Sequence, residues 1–151
     1  MRIPAAGPRA RLIALAYGGG LMLWLSLEEN SVAAAAALGL GLAALMLVLT
    51  TADKLGGRRI AAHAVPLAGA LLGAAIGLGA AVASAGLMFF KNALHAHVFP
   101  DYPPGLIGAL LGRGPAWTLA GALLGLGAGL AWLALRAPSG DADDKDDERQ
   151  I

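Results

Sequence analysis

The groups able to do chemistry in this chain crowd into one stretch. Residues 91–104, Lys91-Asn92-Ala93-Leu94-His95-Ala96-His97-Val98-Phe99-Pro100-Asp101-Tyr102-Pro103-Pro104, place two histidines, an acid, a lysine and two aromatics within 14 residues, in a sequence otherwise poor in all of them. Neutral imidazoles suit zinc, copper, nickel or iron, and Asp101 with His95 and His97 would give a nitrogen and oxygen metal site with open positions. The spacing weighs against it. On a helix, residues two apart point about 200° from each other, so His95 and His97 meet one metal only where the chain is extended. Lys91 does share a helical face with His95, and a cation beside a metal is unfavourable. Two other readings stand beside the metal site. One is a set of solvated interfacial residues on an amphipathic extension of the preceding helix; the other is a recognition surface for a partner or ligand, formed by Lys91, Asn92, His95, His97, Phe99, Asp101 and Tyr102.

Covalent chemistry is poorly supplied. The chain has no cysteine, which excludes disulfides, thiolate catalysis and Cys-ligated zinc. Its few serines lie away from the external histidines, so no nucleophile, base and orienting acid come within range of one another. His63 is the one titratable group inside a long apolar run and reads as an interfacial histidine. Gly18-Gly19-Gly20 lacks the strand and the Lys-Ser/Thr of a phosphate loop, and reads as a close helix contact or a flexible point. The acids between Asp141 and Glu148 break the ligand spacing of a calcium loop. The expectation is a non-enzymatic protein with no cofactor.

What must position residues 91–104 is a membrane domain. The chain has 151 residues, 58% hydrophobic and 14% charged, with a mean hydropathy of +0.68, whereas soluble domains are about half apolar and a quarter charged. Ala, Leu and Gly fill 86 of the 151 positions. Gly without a three-residue period excludes collagen, and sustained hydrophobicity opposes disorder. A spanning helix needs about 20 predominantly apolar residues. Four runs qualify, at residues 12–27, 32–52, 66–90 and 116–135, the first short at 16 residues. The fold class is therefore all-α: a polytopic four-helix membrane domain over 1–137, with an external loop at 91–115. Within that loop Leu106 to Leu111 is too short to span and reads as lying flat at the surface or dipping in as a re-entrant segment.

Orientation follows from the basic residues. With the N-terminus inside, Arg2, Arg9, Arg11, Lys54, Arg58, Arg59, Arg136, Lys145 and Arg149 are cytoplasmic, and only Lys91 and Arg113 are external. Both termini then face the cytoplasm of a cell membrane, the inner one where there are two. Trp24, Trp117 and Trp132 fall near helix ends, as interfacial anchors do. The N-terminal stretch loosely imitates a secretory signal, with Ser31-Val32-Ala33 as the cleavage site; cleavage would leave three spans. Residues 138–151 carry six acids against two bases and read as a disordered acidic cytoplasmic tail.

Glycines recur every four residues at Gly69, Gly73 and Gly77, and again at Gly121, Gly125 and Gly129. Each set forms a ridge without side chains, a glycine zipper, and in lipid such faces bring helices together through dispersion contacts. Ala81 and Ala85 extend the first ridge. The two ridges either face each other in an antiparallel hairpin or face another subunit. Every Asp, Glu, Lys and Arg falls in a loop, a tail or a helix end, so no charge is expected at membrane depth. The functional expectation is a small accessory or assembly component acting through helix–helix and external-loop contacts. The alternative is a small transporter or channel with the histidine-bearing loop at its mouth. Expected partners are the lipid bilayer and further copies or a larger membrane complex; nucleic acid is not among them.

Overall fold

A computed structural model of the chain describes residues 6–95 and 99–136, so the 138–151 tail, His97 and Arg2 lie outside the described residues. The elements of the described chain are all helices: α1 Pro8–Ser26, α2 Val32–Leu55, a short 3-10 turn at Ala62–Ala64, α3 Val65–His95, α4 Pro104–Gly112 and α5 Gly114–Arg136. Three stretches, Val32–Leu55, Ala62–His95 and Pro104–Arg136, are long and apolar enough to cross a membrane. The class is that of a multi-pass membrane protein. The α1 helix has 19 residues, but Arg9 and Arg11 occupy its first turn and it is not among those three.

Helix boundaries follow local chemistry. Pro8 begins α1, a position where the missing N–H is no loss, which moves its start four residues before the expected Leu12. Ser31 caps α2, its hydroxyl accepting the Ala34 amide at 3.2 Å. That helix ends at Gly56, and Gly57 follows with φ +80, where a side chain would be strained. Pro66 is tolerated in the first turn of α3. Nothing after Phe90 breaks the helix before Pro100, so α3 runs on to His95, five residues into the expected loop. At its other end the loop is shortened as well. Pro104 opens α4, and Arg113 (φ −82, ψ −6) stays in the helical region, leading directly into α5. Residues 106–111 are therefore helical, packed on α3 and in near continuity with the last span. The long loop expected over 91–115 shrinks to the connection between His95 and Pro104.

The α3 helix is central, with α5 against one side and α2 against another. Gly69 faces Gly125, Gly73 faces Gly121 and Gly77 faces Trp117, so four residues up α3 correspond to four residues down α5. A Cβ built on Gly73 would stand 2.0 Å from the Gly121 carbonyl oxygen, and one on Gly125 2.0 Å from that of Gly69. The two glycine ridges thus meet each other inside one chain. Their ends meet other partners: Gly77 lies on the Trp117 backbone and Gly129 on the backbone of Pro66. On the other side, Gly39 of α2 lies against the Ser84 backbone, and Ser84, fully buried, donates to the Ala80 carbonyl at 2.7 Å and reaches Ala36 at 3.4 Å. Gly79 faces Ala43. The α1 helix leans on the bundle through Tyr17, whose hydroxyl donates to the Leu38 carbonyl, and through Leu21, Trp24 and Leu25 near its C-terminal end. Gly18, Gly19 and Gly20 touch nothing within 4 Å of an added Cβ, so the close contact expected there is not made.

Candidate functional site

The residues singled out in the sequence gather where α3 ends, against the α1–α2 turn. Lys91 lies on the buried stripe of α3, following Gly77, Ala81, Ser84 and Met88 at alternating steps of four and three. It is 0% exposed. Its ammonium donates to the Glu29 carbonyl and to the Trp24 carbonyl at 3.5 Å, and sits 4.1 Å above the centre of the Trp24 ring. The Trp24 indole N–H donates to the Glu29 carboxylate at 3.1 Å. A cation in the closing turns of a helix is also favoured by the helix dipole. Two sequence expectations fall here. Lys91 is not solvated, because its α3 face is the one that packs on α1 and α2. Trp24 is not an interfacial anchor, because its ring is needed over the lysine and is only 7% exposed.

One residue on, Asn92 holds the returning chain. Its Nδ2 donates to the Tyr102 carbonyl at 2.7 Å, and its Oδ1 accepts the Tyr102 amide at 2.9 Å. Both backbone groups of Tyr102 are thereby satisfied at the site where the chain reverses. This pair continues the α3–α5 register, lying fifteen residues on from Gly77 and fifteen back from Trp117. The Tyr102 side chain is 0% exposed, packs among Trp24, Leu25, Ala35 and Met88, and points its hydroxyl at the Ser31 carbonyl, 3.4 Å away. Lys91, Asn92 and Tyr102 together tie four segments: the end of α1, the start of α2, the end of α3 and the approach to α4.

Burial, and after it the carboxylates of Glu29 and Asp101, push the Tyr102 phenol above its ordinary value of 10.0. The folded state thus holds the phenolic proton more tightly than the unfolded chain does. The stability it contributes is complete below the unfolded value and is lost as pH rises through the folded one. Wild type should lose thermal stability above about pH 10 more steeply than Tyr102→Phe does; identical alkaline melting curves would show that the phenol is not held in this way.

His95 and Asp101 are brought together, with Nδ1 3.7 Å from a carboxylate oxygen, and Nδ1 is also 3.2 Å from the Lys91 carbonyl. His97 lies outside the described residues, and among the described residues no three metal-ligating side chains cluster. Phe99 is strongly exposed, at 84%. With Phe89 and Phe90, both exposed, it completes the chain's three phenylalanines, all at this end. His63 sits exposed in the 3-10 turn at the opposite end. Sequence reasoning missed Trp24, Glu29 and Ser31 as partners of the loop. The phase of Lys91 on the small-residue stripe was the signal for the first two; nothing local announces a backbone carbonyl as an acceptor.

A second feature lies below. The α2 and α5 helices diverge across α3 and leave a groove of about 1210 Å³, floored by Gly69, Gly73, Gly77 and Ala80 and walled by Leu40 and Leu47 on one side and Leu124 and Ala128 on the other. It runs from Ala36 and Trp117 to Leu55, Ile60, Val65 and Trp132, and among the described residues Thr51 is the only hydroxyl on it. Its walls include no residue of the 91–102 cluster. No protein-family model, no curated protein and no solved structure matches this chain.

Proposed function

We propose that this is a small four-span membrane protein with both termini in the cytoplasm, acting as a non-enzymatic accessory or assembly component that makes contact through the face bearing the 99–102 connection. The observation that carries the reading is the division of labour at that end. Lys91, Asn92 and Tyr102 face inward and fix the backbone, while Phe89, Phe90 and Phe99 are left outward on the framework so fixed. Exposed aromatics on a rigid support make contact surface at little loss of side-chain freedom. Arg9, Arg11, Lys54, Arg58, Arg59 and Arg136 collect at the opposite end, which supports placing that end inside. The α1 helix, anchored to α2 through Tyr17 and to α3 through Trp24, supplies the fourth span, with its two arginines reaching toward the headgroups.

Two measurements test this. Reporter enzymes fused at the N-terminus and after Ile151 should both report the cytoplasm; opposite sides would mean three spans. A photo-crosslinking side chain at Phe99 should give a discrete adduct in intact membranes, with a second copy or a distinct partner, that the same group at lipid-facing Leu15 does not give. Equal, diffuse labelling at the two positions would remove the contact role.

A further inference from the structure

We propose that the groove between α2, α3 and α5 seats an acyl chain of an anionic phospholipid, whose headgroup is held at the basic end by Arg58, Arg59 and Arg136. An apolar groove cannot choose among lipids by itself, since an acyl chain gains nothing hydrophobic in leaving its neighbours. The selection must come from the rim. There the groove ends on Leu55, Ile60 and Trp132, and each is next to a cation. The Arg136 guanidinium lies over the Trp132 ring, 4.6 Å from its centre, which holds that charge at the mouth. Gly57, with φ +80, turns the chain so that the Arg58 backbone amide donates to the Leu55 carbonyl at 3.1 Å, and Arg59 leads into Ile60. Lys54 adds a fourth exposed cation, against Asp53 as the single acid on this rim among the described residues. The Gly and Ala floor leaves depth that larger side chains would fill, and one end of the groove lies beside these cations. A phosphate diester carrying two acyl chains matches both features: negative charge at the rim, and a flexible apolar chain for the groove.

Trp117 and Trp132 both line the groove and serve as native reporters. The full chain is placed in phosphatidylcholine vesicles containing a minor fraction of lipid with brominated acyl chains, on either a phosphatidylglycerol or a phosphatidylcholine headgroup, and quenching of tryptophan fluorescence is compared. Using the full chain keeps the acids between Asp141 and Glu148 present as competitors. The anionic brominated lipid should quench more at equal fraction. Arg59→Gln with Arg136→Gln should abolish that excess, each substitution weakening the preference about fivefold, the equivalent of ~1 kcal/mol. Ala128→Leu, which fills the groove and leaves the rim intact, should abolish it too, whereas Arg9→Gln with Arg11→Gln, at the same end but off the groove, should not. Equal quenching by both headgroups in the wild type overturns the proposal. So does an excess that survives Ala128→Leu, which would be surface attraction alone. The proposal rests on membrane insertion, and any quenching by either lipid reports insertion separately from headgroup choice.

Discussion

Gly125→Leu and Gly73→Leu should each abolish recovery of folded chain, while Gly127→Ala should leave it intact. At Gly125 and Gly73 even the first carbon of a side chain would stand 2.0 Å from a carbonyl oxygen of the opposite helix. The obstacle is backbone, which cannot rotate away, so α3 and α5 must separate along their whole contact. Forcing extra groups into a well-packed site already costs about 1–3 kcal/mol where side chains can adjust, and here the penalty lies at or beyond the top of that range. Separation also forfeits the dispersion contacts that hold helices together in lipid. An added Cβ at Gly127 meets nothing within 4 Å, so alanine there keeps the packing and improves helix propensity by up to ~1 kcal/mol. Size-exclusion profiles in mild detergent give the readout. A clean change from oligomer to folded monomer in Gly73→Leu would mean that the ridge serves another subunit, contrary to the contact seen within the chain.

The glycine ridges show what was legible in the sequence and why. Period-four glycines on two apolar runs require a close approach, and an antiparallel hairpin is one of the two ways to satisfy it; the sequence alone left the choice of partner open because Gly121 looks the same to any neighbouring ridge. The positions of α2 and of the Pro66–Phe90 part of α3 were equally readable, since each is an unbroken apolar run with a turn or proline at its start. The ends were not. Composition places a helix boundary where charge begins, but α3 continues through Lys91 to His95, because a lysine in phase with Ser84 and Met88 continues the buried stripe. Residues 106–111 are a related case. Six apolar residues between glycines are too few to span, yet joined through Arg113 to α5 they become the end of a longer helix. Composition picks out residues 91–104 as a polar stretch, but the contacts made there are not readable from it. The key acceptors are main-chain carbonyls at Trp24, Glu29, Ser31 and Tyr102, which every residue carries and no motif marks.

Among single changes in that cluster, Lys91→Glu should be the most damaging, followed by Lys91→Ala, with Lys91→Met closest to wild type. The ordering comes from what each leaves behind. Alanine removes the ammonium and the stem together, leaving the Glu29 carbonyl without its donor and a void beside the Trp24 ring; an unsatisfied buried acceptor alone costs about 1–3 kcal/mol. Methionine fills most of the stem's volume and removes the need to keep a charge out of water, a need that often cancels much of what a buried ion gains. Its loss should be the smaller of the two. Glutamate sets a carboxylate against two carbonyl oxygens and beside the Glu29 side chain that now bonds Trp24, so every contact turns repulsive. The end of α1 and the 99–102 connection then come loose together, because both are tied through the same turn of α3. Thermal melting in detergent should follow this order. Trp24 emission should shift to longer wavelength in the glutamate variant as its ring becomes wet, and crosslinking from Phe99 should weaken in proportion. Equal melting of Lys91→Ala and wild type, with Trp24 emission unmoved, would show that the lysine holds nothing and that the rigidity of the contact face has another source.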